Sequence, residues 1–263
     1  MSAKTPYEDH TSGYEGVGEF YDLFADNSDV LFYTQYARSM GSPILELAAG
    51  TGRIALFLAQ EGFEVVALEK SASMIAQARK KASRLSKSVS SRLSIVEGSM
   101  TRFSLDQKFA LIIVPNSFGH LLTFEDQLST LICVKEHLLD EGVFILDLYP
   151  GELQYEHATF EDPPGILPDG RKVTRIGIIE SDFQKKLMRL ELQYTVQDID
   201  GAVLKTINVV STAALIFKED ADRLIQISGL QIEDEFGDFE KNPYTLDSGR
   251  RVFILKRNIG EKK

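Results

Sequence analysis

Between residues 44 and 150, short apolar runs take turns with longer stretches whose apolar residues recur every three or four positions. In order these are Ile44–Ala48, a helix over Arg53–Glu61, Glu64–Leu68, a helix over Ser73–Leu85, Leu93–Val96, Phe109–Val114, a helix over Phe124–Leu138 and Val143–Tyr149. A strand followed by a helix brings the next strand back in the same direction, so the alternation predicts a parallel sheet covered on both faces. Boundary residues agree with this. Gly62 stands past the first helix, Thr123 with Asp126 makes a start resembling a capping box, and Glu141-Gly142 is expected to end the helix that begins there.

After Tyr149 the pattern changes. Residues 151–170 read as a loop, broken by Pro163-Pro164-Gly165 and Pro168-Asp169-Gly170. Beyond it the period becomes two, with Met188, Leu190, Leu192, Tyr194 and Val196 alternating with Arg189, Glu191, Gln193, Thr195 and Gln197. Asp200-Gly201 is a hairpin signal leading into Val203–Phe217, so residues 171–217 are expected to form a small antiparallel sheet inserted into the parallel one. A helix over Glu219–Ser228, closed by Gly229, and strands Gln231–Phe236 and Arg251–Lys256 complete the chain.

With 263 residues and 43% apolar composition, the chain can bury a full core. It has no apolar run of about 18 residues, and Met1–Tyr14 is polar and acidic, so neither a membrane span nor a leader is expected and the cytoplasm is the expected address. Cys133, the single cysteine, reads as a small core hydrophobe, which sets aside disulfides; no metal site is expected. A formal charge of −10 repels phosphate backbones, argues against nucleic acid and favours cationic ligands. The cluster Arg79, Lys80, Lys81, Arg84 and Lys87 reads as a solvated helix face.

The stretch "ILELAAGTGR", Ile44–Arg53, runs from a buried strand into a glycine turn. Gly50 and Gly52 lack Cβ atoms, so a ligand can approach the main chain, and the helix starting near Arg53 aims its first N–H groups at the same place. Gly50-x-Gly52-x-x-Ala55, with Glu69 at the end of the second strand, also fits a dinucleotide fingerprint. Glu46 separates the two readings, because a dinucleotide site would have an apolar residue there, whereas a carboxylate attracts a cationic amino group.

At this point the chain resembles the class I S-adenosylmethionine-dependent methyltransferases. "ILELAAGTGR" resembles their first motif, "EVVALEKSASMIAQAR" their second, "VEGSMTRF" their GDM segment, and "NSFGHLLTFEDQ" the stretch after the fourth strand in small-molecule members. "GLQIEDEFGDF" followed by "RRVFILKR" is similar to their closing hairpin. The resemblance implies an α/β fold: a Rossmann-like, seven-stranded, mostly parallel sheet with helices on both faces, plus the inserted antiparallel β-sheet. It divides the chain into an N-terminal helical lid (1–43), a cofactor-binding part (44–150 and 218–257) and the insert (151–217), which resembles an acceptor pocket or homodimer contact in aminosugar and glycine N-methyltransferases.

Residue by residue, the resemblance implies that Glu46, Ala48 and Gly50 face the methionine part of S-adenosylmethionine and of its product S-adenosylhomocysteine, with Gly52 and Arg53 completing the turn. Glu69 would take both ribose hydroxyls, followed by Lys70, while Ser99 and Met100 would flank the adenine. Met74 is read as core. Two departures stand out: Ala48 replaces a glycine, at small cost if its φ is negative, and Ser99 replaces an aspartate, a weaker acceptor.

Topology sets Asn116, Ser117, His120, Asp147 and Tyr149 at the strand ends near the methyl group. His120 is a candidate base or a hydrogen-bonded structural histidine. Tyr21 and Tyr14, in "YEGVGEFYDLFAD", are candidate catalytic lid residues or plain packing. Arg171, Lys172 and Arg175 answer an acidic acceptor group or form the exposed side of a strand. The expected activity is methyl transfer to a nitrogen or oxygen of a small-molecule acceptor; a non-catalytic cofactor-binding scaffold, or transfer to protein or RNA, stays open.

Overall fold

The computed structural model describes residues 11–12 and 14–258. The first part of the expected lid therefore lies outside the described residues. The main sheet has seven strands: β1 (Ile44–Leu47), β2 (Val65–Glu69), β3 (Leu93–Glu97), β4 (Phe109–Val114), β5 (Leu138–Leu148), β10 (Leu230–Phe236) and β11 (Arg251–Arg257). Their order across the sheet is β10-β11-β5-β4-β1-β2-β3. The pairings among β1 to β5 are parallel, and β11 is antiparallel to both β5 and β10.

Alternation along each strand divides the core between the two faces. Leu45 and Leu47 of β1 join Leu131 and Val134 of α5 (Phe124–His137) and Leu224 and Ile225 of α6 (Lys218–Ser228). Ile44 joins Phe32, Tyr33 and Ala37 of α2 (Ser28–Met40) and Ile54, Ala55 and Leu58 of α3 (Arg53–Gln60) on the opposite face. Glu46, two residues after Ile44, points toward that second face.

The second sheet has six strands: β6 (His157–Glu161), β7 (Lys172–Asp182), β8 (Leu187–Gln197) and β9 (Val203–Ala214), with the two-residue strands Thr11–Ser12, parallel to β9, and Gly165–Ile166. The pairs β7–β8 and β8–β9 are antiparallel, as the alternation predicted. The loop reading of 151–170 needs correction, because β6 and the short strand Gly165–Ile166 both pair with β7 inside it. The helix α5 ends at His137, one residue short of the expected Leu138, but β5 begins at once with Leu138 rather than at Val143, so Glu141-Gly142 lies within the strand instead of closing the helix. Gly142 has a different use there: a Cβ on it would lie 2.9 Å from the Phe109 carbonyl oxygen, so glycine permits the close approach of β4 and β5.

A strap from Tyr14 to Phe24, containing the single helical turn α1 (Gly18–Tyr21), joins the two sheets. Its Val17 and Phe20 are buried against Val173, Leu192, Tyr194 and Val209 of the second sheet. Its other side meets α4 (Ala72–Ala82), where Gly16 N–H donates to Ser73 Oγ at 3.1 Å and Ser73 N–H donates to Glu15 Oε2 at 3.3 Å. Among the described residues no helix is long and apolar enough to cross a membrane.

Candidate active site

The turn after β1 carries left-handed backbone at three alternate positions: Ala48 (φ +50°), Gly50 (φ +57°) and Gly52 (φ +74°). The sequence reading of Ala48 is thereby corrected. Its φ is positive, so its methyl group is held in a conformation that disfavours any Cβ by roughly 1–2 kcal/mol. Gly50 differs in having open space above it, since an added Cβ would meet nothing within 4 Å. Gly52 is closed in by Ala78 and Leu56, each 3.4 Å from such a Cβ, and it caps α3 directly.

Glu46 is 3% exposed, and its Oε2 is buried without a hydrogen-bond partner. Burial pushes its carboxyl up to about 8, against a weaker opposing pull from Arg53. Arg53 gives Glu46 no direct pairing because its guanidinium holds Asp29 with two 2.7 Å bonds and reaches Asn27 at 3.2 Å. The side chain of Arg53 thus locks the start of α2 to the turn, and what it offers a ligand is its charge. Asp29, 2% exposed, was not foreseen.

Glu69, at the tip of β2, is turned inward rather than toward water. Its Oε2 accepts the Gly50 N–H at 2.8 Å, and its Oε1 accepts the N–H groups of Lys70 (2.8 Å) and Ser71 (2.7 Å). A carboxylate has roughly four lone-pair directions, so three are filled by backbone and the pair of ribose hydroxyls requires Gly50 N–H to move aside. Lys70 contributes its backbone N–H, while its side chain is exposed. At the next strand tip, Ser99 shares a hydrogen bond with Thr101 Oγ1 at 2.7 Å and also accepts the Thr101 N–H, so its hydroxyl serves the local turn. Met100 is 8% exposed and packs with Leu68 and Leu121; Met74 is core, as expected.

Beyond β4, Asn116 is exposed and left-handed (φ +51°). Its Oδ1 accepts from Arg250 Nη1 at 2.6 Å, and its backbone N–H donates to Asp147 Oδ2 at 3.3 Å. Ser117 donates to the Pro115 carbonyl at 2.8 Å. Asp147, with its side chain fully buried, accepts from Arg250 Nη1 through both oxygens at 2.9 Å, and burial pushes its carboxyl up despite that partner. Arg250 Nη2 reaches the Tyr149 hydroxyl at 2.5 Å.

His120 sits on a short helical turn, Phe118–His120, with its ring 5.9 Å from that of Tyr14. Burial pushes its imidazole below the usual histidine range, opposed by a hydrogen bond to the Thr212 backbone. Tyr14 and Tyr21 meet edge to face at 5.5 Å, and burial pushes both phenols up, so neither serves as a base near neutrality.

Thr51, 1% exposed, donates to Asp22 Oδ1; Lys81 Nζ lies 2.6 Å from Asp22 Oδ2 and 3.0 Å from Thr51 Oγ1. This triangle pins the strap to the glycine turn, so Lys81 leaves the solvated face assigned to it from sequence. Arg171 binds Glu19 and Asp169, and Arg175 binds Asp162 at 2.7 Å beneath the Phe24 ring, which leaves Lys172 as the exposed cation of that trio.

A methyltransferase-domain family model matches residues 44–142, from β1 into β5. A glycine/sarcosine N-methyltransferase from Halorhodospira halochloris is 31% identical, covering 93% of this chain and 91% of its own. The dTDP-3-amino-3,4,6-trideoxy-alpha-D-glucopyranose N,N-dimethyltransferase from Streptomyces venezuelae is 26% identical over 94% of this chain and 97% of its own. The solved structure of Streptomyces venezuelae DesVI shares the fold, with a TM-score of 0.74 over 90% of this chain and 96% of its own at 23% identity. The chain belongs to the class I S-adenosylmethionine-dependent methyltransferases. The residues present fit that cofactor: a buried carboxyl oxygen without a partner, Glu46 Oε2, suits its ammonium, and the space over Gly50 admits a ligand against bare backbone.

Proposed function

We propose that this chain transfers a methyl group from S-adenosylmethionine to a nitrogen of a small-molecule amine. The observation that carries the reading is Glu46, whose Oε2 is buried without a hydrogen-bond partner at the tip of β1. The two cations that act on it each already hold an acid: Arg53 holds Asp29 and Lys81 holds Asp22. Such a group is costly unless a ligand supplies the missing charge, and the ammonium of the cofactor does so. Preference for nitrogen over oxygen draws on the relatives, both named as N-methyltransferases.

The cofactor supplies an activated methyl group on a sulfonium. The protein's part is alignment and proton removal. Glu46 would bind the ammonium, Glu69 the ribose, and Met100 an adenine face, with Gly50 and Gly52 admitting the ligand to the turn. The strap, with Tyr14 and Tyr21, would exclude water from the cleft. His120, kept neutral by burial and fixed by the Thr212 backbone, would accept the N–H proton as the amine nitrogen bonds to the methyl carbon and the carbon–sulfur bond breaks, leaving a thioether.

Incubation with methyl-labelled S-adenosylmethionine and two acceptor sets, nucleotide-linked amino sugars and glycine with sarcosine, tests this. Label in one set, abolished by Glu69→Ala, is the expected result. Saturable binding of S-adenosylhomocysteine with no transfer to either set, together with stoichiometric co-purification of another chain, would favour a scaffold instead.

A further inference from the structure

The methionine end of the cofactor is a zwitterion, and a site that receives its ammonium with a buried acid needs donors for the carboxylate beside it. Nearby cations are engaged: Arg53 directs both terminal nitrogens at Asp29, and Lys81 Nζ is shared by Asp22 and Thr51. An amide offers donors of the kind such a carboxylate needs. Asn116 stands just past β4, the strand adjacent to β1, where Ile113 is the register partner of Glu46.

A guanidinium can only donate, so Arg250 Nη1, 2.6 Å from the Asn116 side chain, must meet the amide oxygen. The amide orientation follows from the network, and both Nδ2 hydrogens then face away from Arg250. Arg250 is itself held from several sides. Its guanidinium lies 4.2 Å from the Tyr149 ring centre and 4.7 Å from that of Phe239, and Asp147 grips Nη1 with both oxygens while also accepting the Asn116 backbone N–H. An exposed carboxamide that would otherwise rotate freely is therefore fixed at both its backbone and its oxygen.

We infer that Asp147 and Arg250 are positioning residues, which set the Asn116 carboxamide so that its N–H donors meet the carboxylate of the bound cofactor, opposite the Glu46 carboxyl that takes the ammonium. This rests on the cofactor reading above. Arg250 acts through Asn116 rather than as a free cation, because Asp147 neutralises it.

The test is calorimetric titration with two probes, S-adenosylhomocysteine and its decarboxylated analogue, which keeps the amine. The wild-type protein is expected to prefer the carboxylate-bearing probe by about tenfold or more, the worth of one or two charge-assisted hydrogen bonds. Asn116→Asp keeps an acceptor for Arg250 and tolerates the left-handed backbone, yet replaces the donor with a charge of the wrong sign. It should remove or invert the preference without weakening affinity for the decarboxylated probe. Arg250→Met should shrink the preference in the same selective way. Equal weakening of both probes in both variants would mark a purely structural role and overturn the inference, as would an unchanged preference. Failure of the wild-type protein to bind either probe would overturn the cofactor reading itself, a distinct outcome.

Discussion

Glu46 gives the most quantitative handle on the site. Burial pushes its carboxyl from the ordinary 4.5 to about 8, so the ligand-free protein holds a proton there at neutral pH. Binding a cation requires the carboxylate, and the proton must leave. The sign follows: affinity for S-adenosylhomocysteine should rise with pH, gaining about tenfold per unit below pH 8 and levelling above it, so that binding at pH 6 is roughly 100-fold weaker than at the plateau.

Titrations at pH 7 in buffers of different ionisation enthalpy should report close to one proton released per ligand bound. Other groups around Glu46 can be separated from it. Arg53 and Arg250 stay charged throughout, the Tyr33 phenol is pushed up by burial, and His120 is pushed below the usual histidine range.

Stability supplies the complementary arm. A carboxyl raised in the folded state costs stability as pH climbs from its unfolded value of 4.5 through its folded value of about 8, an effect of a few kcal/mol once complete. Glu46→Gln is neutral at all pH. It should raise the melting temperature of the ligand-free protein at pH 8 by on the order of 5 °C, abolish proton release and weaken ligand binding at least tenfold. A flat affinity between pH 6 and 8 with no proton release, or a Glu46→Gln protein that binds as well as wild type, would refute the reasoning.

Further expectations concern the neighbouring residues. Ala48→Gly relieves a left-handed alanine and should raise unfolding free energy by roughly 1 kcal/mol in denaturant melts; a loss of stability would contradict the strain argument. Asp22→Asn removes the charge that ties Lys81 and Thr51 to the strap, and should speed S-adenosylhomocysteine release by about fivefold in stopped flow, with earlier proteolytic cutting between Tyr14 and Phe24. His120→Ala should lower turnover on whichever amine is identified by about a hundredfold or more while changing S-adenosylhomocysteine affinity less than threefold. In the wild-type protein at saturating S-adenosylmethionine, the acidic limb of the turnover profile should lie below the usual histidine range, because burial lowers the imidazole. Equal effects of His120→Ala on binding and turnover would assign it to packing.

Much of the main sheet was legible because its strands and helices differ in period, and a period is a local property. Departures arose where local signals conflicted. Glu141-Gly142 reads locally as a helix end, yet Leu138 pairs with Phe109, remote in sequence, and the strand begins there. Strand β6 is short and lies among prolines, and only β7 reveals it by pairing with it.

In the candidate site, Glu46 stood out by its spacing to Gly50 and Glu69 by its place at the end of the second strand, and the structure buries both. The charges that surround them were not readable, because Arg53 meets Asp29 across 24 residues and Arg250 meets Asp147 across 103. No window along the chain contains such pairs. The same long-range pairing took Arg171, Arg175 and Lys81 out of the roles their local context suggested.

A crystal structure with S-adenosylhomocysteine bound puts the central claim to its most direct test. The account predicts the ligand's amino nitrogen about 3 Å from Glu46 Oε2, its ribose hydroxyls on Glu69 with the Gly50 N–H displaced, and its carboxylate facing Asn116. Density for the nucleoside at another place on the surface, with Glu46 still unpaired, would contradict it.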